Sequence, residues 1–300
     1  MGQQAFGKAA LEKILEVGRD EVVAVYCAPD KDGRPVDPLK EAALEAGIRV
    51  LQPKNFKDES TLAEMRSFNA DLMIMAYVTL FVPEAARDIP AKGSICFHPS
   101  LLPLHRGPSS INWPIIWGSS RTGFSWFYPT DGLDEGDILL QRECDIGPDD
   151  TLGDVYFRKI FPAAVDSVIE VCNLFMSDNP PRLPQDEGKS TYESWCRKSD
   201  AEIDWSKSVD EVYNLIRGTN PQPGAWTLAG GKQVQIYTSE KMSGAGNPGE
   251  VVEVSASGVV VQASGGRIAV QRVRPAGSGK ISASDWVANE GIAPGDKLGN

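Results

Sequence analysis

A cysteine and a histidine stand two positions apart near the end of one apolar run. In GSICFHP (93–99), Cys96 and His98 would point to the same face of a β-strand. Open α/β sheets bind their ligands at the carboxyl ends of their strands, so His98 is a candidate general base. An imidazole that only satisfies the local backbone is an equally weighted alternative. Cys96 fits either a thiolate activated by His98 or a small apolar filler.

An acidic turn, TDGLDEGD (130–137), separates two further apolar runs. One of its carboxylates could orient a histidine and stabilise the charged form of the ring. A solvated hairpin tip and a calcium loop are the alternatives. The turn lacks the twelve-residue EF-hand spacing and has no flanking helices, which disfavours calcium.

The histidine and cysteine content, together with one incomplete motif, argues against metal, disulfide and phosphate-loop sites. The chain has only two histidines and five cysteines, without a C-x-x-C pair, so a zinc site or disulfide framework is not expected, and no metal is predicted. The segment 2–9 resembles part of a phosphate loop, but Ala9 replaces the hydroxyl residue, and a glycine turn into a helix is favoured.

Charge and hydropathy restrict the partners. The 300-residue chain has a formal charge of −11, which disfavours nucleic acid as a partner. It lacks a long apolar run and a secretory leader, which predicts a cytoplasmic protein without a membrane span.

The elements that must position these residues alternate in type over the first half of the chain, as in a Rossmann-like α/β fold with a mostly parallel sheet. We predict strands at 22–27, 48–53, 71–78, 93–99, 123–129 and 138–144, and helices at 5–17, 38–47, 59–69 and 151–176. Gly2 already forms the turn into the first helix. Such a fold normally opens with a strand before this turn, so two alternatives stay open: Met1 is a misassigned or engineered start, or the sheet has lost a strand whose neighbours' backbone groups would lie unpaired.

A proline-rich polar segment ends this pattern, and short glycine-punctuated strands follow. We predict a catalytic domain at 1–177, a linker at 178–198 and a small OB-like β-barrel at 199–300.

The motifs HPSLLPLHRG and GLDEGD resemble those of the formyltransferase/hydrolase family that uses 10-formyltetrahydrofolate. The similarity extends over nearly the whole chain. Within the family it is strongest to the hydrolase domain of 10-formyltetrahydrofolate dehydrogenase, as in GPSSINWPIIWG. The resemblance implies a formyltransferase-fold domain followed by an OB-like barrel, with 10-formyltetrahydrofolate as co-substrate and no metal.

The resemblance also assigns roles by position. His98 would be the catalytic histidine, and Asp134 would be the aspartate that orients it. Two loops would contact the folate; they contain Leu80, Phe81 and Val82 in one and Ser100, Leu101, Leu102 and Pro103 in the other.

Departures from the family pattern bear on the formyl acceptor. Transferases of the family usually carry asparagine where this chain has Cys96, which is a poor hydrogen-bond donor. The segment PDKDGRPVDP is short and near neutral, whereas tRNA-acting members have a longer lysine-rich loop. We therefore expect hydrolysis, or transfer to a small amine. Methionyl-tRNA formylation is the first alternative and a non-catalytic folate-binding protein is the second.

Overall fold

The computed structural model describes residues 1–299 and divides into two compact units. The first unit comprises Met1–Gly107, Gly123–Cys144 and Phe157–Tyr192. The second comprises Pro108–Thr122, Asp145–Tyr156 and the residues from Glu193 onward. The chain thus passes between the units several times, so the units are not two consecutive halves of the sequence.

Helices and strands follow one another in the order that the sequence predicts for the first half. The helices are α1 (Gln4–Val17), α2 (Pro38–Glu45), α3 (Glu59–Ser67), α4 (Glu84–Arg87), α5 (Asn112–Ile116), α6 (Leu152–Asp154), α7 (Phe161–Met176), α8 (Val209–Gly218) and α9 (Ala283–Glu290). The strands are β1 (Val25–Tyr26), β2 (Val50–Leu51), β3 (Met73–Met75), β4 (Ser94–His98), β5 (Arg121–Phe127), β6 (Ile138–Asp145), β7 (Trp226–Ala229), β8 (Lys232–Met242), β9 (Val251–Ser255), β10 (Gly258–Ala263), β11 (Gly266–Pro275) and β12 (Ile281–Ser282).

The helix predicted over 151–176 is interrupted. It starts at a capping box: the Thr151 hydroxyl accepts from the Asp154 N–H, and the Asp154 carboxylate accepts from the Thr151 N–H. A π-helical stretch, Val155–Ile160, then separates α6 from α7. Pro162 has no N–H to continue the α-helical ladder, and the wider turn lies directly before it.

The first unit contains two short sheets, and Met1 and Gly2 lie between them. Strands β1 and β2 pair in parallel, and the second sheet has the order β3-β4-β5-β6, with β3 parallel to β4. The Gly2 N–H donates to Tyr26 O at 2.9 Å, and the Ala76 N–H donates to Met1 O at 2.9 Å. These two residues therefore connect the end of β1 to the end of β3 through backbone hydrogen bonds.

A cavity of about 820 Å³ lies beside these two residues, and its lining includes Val22–Val25 and Leu72–Ile74. The Met1 amino group closes its end by donating to Ile74 O at 2.8 Å. Gly2 is required there, since a Cβ atom would lie 2.2 Å from Ala76 O.

The second unit contains an antiparallel sheet with the order β7-β8-β11-β10-β9, in which β12 also pairs with β11. Two residues near the end of the chain form bridges at the two edges of this sheet: Leu298 pairs with Ala229 of β7, and Lys297 pairs with Glu250, directly before β9. The buried core of this unit includes Trp205, Ile216 and Trp286. The prediction of a mixed α/β domain plus a second, β-rich domain is confirmed; the OB-like barrel and the domain boundaries stay predictions.

Candidate active site

Cys96 and His98 lie at the carboxyl-terminal end of strand β4, which is an inner strand of its sheet. Ile95 and Phe97 are buried on one face, and Phe97 packs on Phe6 with ring centroids 4.2 Å apart. The alternation of the strand therefore turns Cys96 and His98 together to the other face. Met75 of β3 lies beside Cys96 in parallel register, so the loops that follow β3 and β4 leave the same edge.

Both ring nitrogens of His98 face an oxygen. Nε2 lies 2.8 Å from the carbonyl oxygen of His105. Nδ1 lies 3.5 Å from Asp134 Oδ2, and the side chains of His98 and Asp134 are only 8% and 16% exposed. A histidine that only satisfies the local backbone would account for the contact of Nε2. It does not account for Nδ1, which faces the Asp134 carboxylate.

This arrangement fixes which nitrogen can exchange a proton. A carbonyl oxygen only accepts hydrogen bonds, so Nε2 carries the hydrogen of that contact. In the neutral ring Nδ1 then carries the lone pair. A proton taken up at Nδ1 would be stabilised by the adjacent carboxylate of Asp134. The pair can thus accept and return a proton at one defined atom.

The backbone is constrained on both sides of this pair. Asp134 and His105 have φ values of 55° and 57°, in the left-handed region that non-glycine residues seldom adopt. The Gly107 N–H donates to Asp134 Oδ2 at 2.8 Å, which fixes the carboxylate. Backbone strain of this kind persists only where the surroundings hold it in place.

Hydrogen bonds fix the loop that carries Ser100–Pro103. The Ser100 hydroxyl donates to Leu104 O at 2.6 Å. The hydroxyl of Ser125 donates to Ser100 O at 2.7 Å and accepts from the Leu102 N–H at 3.2 Å. Leu102 is buried, and Leu101 and Pro103 are partly exposed. The loop therefore has a defined shape beside His98.

The loop after β3 presents an apolar surface. Val82 is buried, Leu80 is partly buried against the core, and Phe81 is 57% exposed. The Lys57 amino group lies 5.8 Å from the centre of the Phe81 ring. Leu80 and Phe81 thus offer an apolar contact surface of the kind that holds an aromatic ligand.

Cys96 is set up poorly for nucleophilic attack. Burial raises the pKa of its thiol, and the nearby negative charge of Asp134 raises that pKa further. The thiol therefore stays protonated at neutral pH, whereas a nucleophile or metal ligand would have to be a thiolate. This argues against the activated thiolate and favours a small filler, packed against Leu102 and Phe127.

Sequence reasoning missed the residues that hold the acidic turn. The Arg106 guanidinium donates to the side-chain oxygen of Gln185, and the Gln185 amide nitrogen donates to the backbone carbonyl of Asp134. Gln185 falls in the segment predicted as a linker, and its polar composition gave no signal of these contacts. Within residues 1–299, no three histidine, cysteine or acidic side chains converge as a metal site would require. None of the helices in that range is long and apolar enough to span a membrane.

Known proteins with similar sequences place this chain in a family. The Formyl transferase family matches residues 1–165, and the Formyl transferase C-terminal domain matches residues 196–291. The human mitochondrial 10-formyltetrahydrofolate dehydrogenase is 41% identical over 259 residues, which cover 85% of this chain and 28% of that protein. The chain thus spans under a third of the length of that relative.

A second relative matches from end to end. Methionyl-tRNA formyltransferase of Syntrophus aciditrophicus is 35% identical over 306 residues, covering 100% of this chain and 97% of that protein.

Solved structures agree on the fold. An N-formyltransferase from Helicobacter canadensis, in complex with folinic acid and dTDP-3-aminofucose, aligns with a TM-score of 0.68 and 18% identity over 90% of this chain and 97% of that one. HypX from Aquifex aeolicus, in complex with tetrahydrofolic acid, aligns with a TM-score of 0.63 and 19% identity over 83% of this chain and 44% of that one. From the family matches and the end-to-end similarity, this chain belongs to the formyl transferase family.

Proposed function

We propose that this protein removes the formyl group from 10-formyltetrahydrofolate and passes it to water or to a small amine. The observation that carries the proposal is the His98–Asp134 pair, in which Nδ1 faces Oδ2 at 3.5 Å and Nε2 is held by a carbonyl oxygen. One nitrogen is anchored and the other is free to exchange a proton, which is what a general acid–base residue requires.

The reaction needs one proton to move twice. His98 takes a proton at Nδ1 from the attacking water or amine as the new bond to the formyl carbon forms. Asp134 stabilises the charged ring that results. His98 then returns the proton to N10 as the bond between the formyl carbon and N10 breaks, which releases tetrahydrofolate and either formate or the formylated amine.

Two loops would hold the folate. Leu80, Phe81 and Val82 would contact the pterin, and the rigid loop Ser100, Leu101, Leu102 and Pro103 would pass beside the formyl group. The apolar, partly exposed surface of the first loop and the hydrogen-bonded shape of the second support this assignment.

Cys96 supports hydrolysis, or an unusual transfer, over the family's usual transfer reaction. A buried, protonated thiol is a weak donor to the oxyanion that forms when the formyl carbon is attacked. The charge of −11 supports a small acceptor, because an acidic protein repels the tRNA backbone at long range. The protein would act in the cytoplasm.

Formylation of methionyl-tRNA is the second candidate. The end-to-end match to a methionyl-tRNA formyltransferase favours it. A basic patch on the surface could still bind RNA despite the negative total charge.

One incubation series separates these outcomes. Purified protein is mixed with 10-formyltetrahydrofolate alone, and tetrahydrofolate and formate are followed over time. Release of both without an amine supports the hydrolase. If nothing is released until an amine is present, hydrolysis is wrong; sugar amines, amino acids and methionyl-tRNA, added in turn, then identify the acceptor. No turnover with any of them contradicts a catalytic role and supports a folate-binding protein.

A further inference from the structure

Residues 183–191, which we call the strap, contact both the acidic turn 130–137 and the loop that follows His98. At one end Leu183 exchanges two backbone hydrogen bonds with Ile138, the first residue of β6, at 2.8 and 2.9 Å. At the other end the Thr191 hydroxyl accepts from the His105 N–H at 2.8 Å, and its carbonyl accepts from the Arg106 N–H at 3.0 Å. The strap is therefore hydrogen-bonded to the residue that follows the acidic turn and to the loop after His98.

Gln185 is the residue of the strap that reaches Asp134. Its amide nitrogen donates to Asp134 O at 2.8 Å and to Gly136 O at 2.7 Å. Its amide oxygen accepts from Arg106 Nη2 at 2.8 Å and from Nε at 3.2 Å. One side chain thus joins the turn that contains Asp134 to the residue that follows His105.

Arg106 completes the connection. Its guanidinium is buried and also donates to both carboxylate oxygens of Glu187, at 2.9 and 2.6 Å. The paired charge and the planar geometry make this a directional contact rather than a loose surface ion pair. Arg106 lies between His105, whose carbonyl holds His98, and Gly107, whose N–H holds Asp134.

We propose that Gln185 is a positioning residue that holds Asp134 against His98. This inference rests on the proposed function, since it concerns the pair that would move the proton. Asp134 has a left-handed backbone, so the turn needs external hydrogen bonds to keep that conformation. Without the Gln185 amide, the carbonyl groups of Asp134 and Gly136 lose this donor, and the Gly107 N–H alone is left to hold the carboxylate near Nδ1. A small displacement at a catalytic pair lowers the rate strongly.

The molecule offers a matched control in the second unit. The Gln235 amide also donates to a backbone carbonyl, Pro223 O at 2.8 Å, and its oxygen also accepts from an arginine, Arg274 Nε, at 2.7 Å. Gln185→Ala and Gln235→Ala therefore remove similar sets of hydrogen bonds. Gln185→Glu is a second variant, which keeps an acceptor for Arg106 but removes both donors to the turn.

Kinetics give the first test. We expect Gln185→Ala and Gln185→Glu each to lower kcat by about 10-fold to 100-fold with a nearly unchanged KM for folate, and Gln235→Ala to leave kcat unchanged. Because Gln185 acts through Asp134, adding Gln185→Ala to Asp134→Asn should lower kcat no further. The proposal is overturned if the double variant has a lower kcat than Asp134→Asn alone. It is also overturned if Gln185→Ala and Gln235→Ala lower kcat equally.

A second readout does not depend on turnover. With only two histidines in the chain, ¹⁵N-histidine labelling gives two pairs of ring-nitrogen signals, and the pair that is lost in His98→Gln belongs to His98. We expect Gln185→Ala to move the His98 Nδ1 signal toward its position in Asp134→Asn, and Gln235→Ala to leave it in place. An unmoved signal in Gln185→Ala overturns the positioning role. If the wild-type protein shows no turnover but Gln185→Ala still moves that signal, the proposed function is contradicted and the positioning role is supported.

Discussion

Asp134 turns a single carboxylate oxygen to His98: Oδ2 lies 3.5 Å from Nδ1 and also accepts the Gly107 N–H at 2.8 Å. The backbone donor fixes where the negative charge sits, and the charge faces the one ring nitrogen that is not held by a carbonyl. The two residues are far apart in the sequence, so the turn 130–137 and the loop after β4 must both be in place for them to meet.

Cys96 should be dispensable as a nucleophile. Since burial and the charge of Asp134 raise the pKa of its thiol, we expect Cys96→Ala to keep kcat within about threefold of the wild-type value. Steady-state release of tetrahydrofolate measures this. Complete loss of turnover in a folded Cys96→Ala protein would restore the thiolate hypothesis.

Cys96→Asn should change the fate of the formyl group. An asparagine amide at this position would donate to the oxyanion more strongly than a thiol does. We expect the ratio of formylated amine to formate to rise when both are measured in one reaction with an amine present. The Cys96→Ala variant is the control, because it removes the thiol without adding a donor. Equal ratios in the two variants would show that a missing amide does not bias the outcome.

Gly136 should tolerate no side chain. A Cβ atom there would lie 1.6 Å from Tyr128 O and 3.3 Å from Thr130 Cγ2. We expect Gly136→Ala to lower the free energy of unfolding by about 2–4 kcal/mol, because the backbone of the acidic turn must move. Gly279→Ala serves as the control, since nothing lies within 4 Å of its Cβ position. Urea unfolding measures both, and equal midpoints would contradict the close approach.

A buried amino group should make stability depend on pH when the chain starts at Met1. Burial lowers the pKa of the Met1 ammonium from 8.0 to about 6. Between these values the unfolded chain binds more protons than the folded chain, so stability rises as pH increases from about 6 to about 8. The full effect is at most about 3 kcal/mol. Below both values the penalty is complete, and above both it is absent.

Urea unfolding across that pH range tests this dependence, and protein with an acetylated amino terminus is the control. Acetylation removes the titrating group, so the rise attributable to Met1 should disappear. Identical slopes for the free and the acetylated protein would show that another group is responsible.

Local patterns predicted the strand that carries His98 and the helices around it. Strand β4 alternates as expected because Ile95 and Phe97 pack inward, and α1 ends at Val17, which is its predicted end. The run 22–27 forms only the short strand β1, since Val22, Val23 and Ala24 face the cavity beside Met1 instead of a full neighbouring strand. A strand forms where it has partners, which a single run of residues does not specify.

The contacts that position the pair were not predictable from the sequence. Gln185 and Asp134 are 51 residues apart, and their hydrogen bond joins a side chain to a backbone carbonyl. Such a bond leaves no pattern in residue type or spacing. The resemblance to the family implies the roles of His98 and Asp134, and the geometry adds which nitrogen of the ring faces the carboxylate.

The most direct test of the account is the rate of formyl release by His98→Gln and Asp134→Asn. We expect each to lower kcat by about 100-fold to 10,000-fold, while folate binding and the unfolding temperature stay near the wild-type values. Asp131→Asn is the matched control, because Asp131 lies in the same turn but pairs with Arg87 at 2.8 Å. It should keep wild-type turnover. If Asp134→Asn or His98→Gln instead releases tetrahydrofolate at the wild-type rate, the pair is not the catalytic centre.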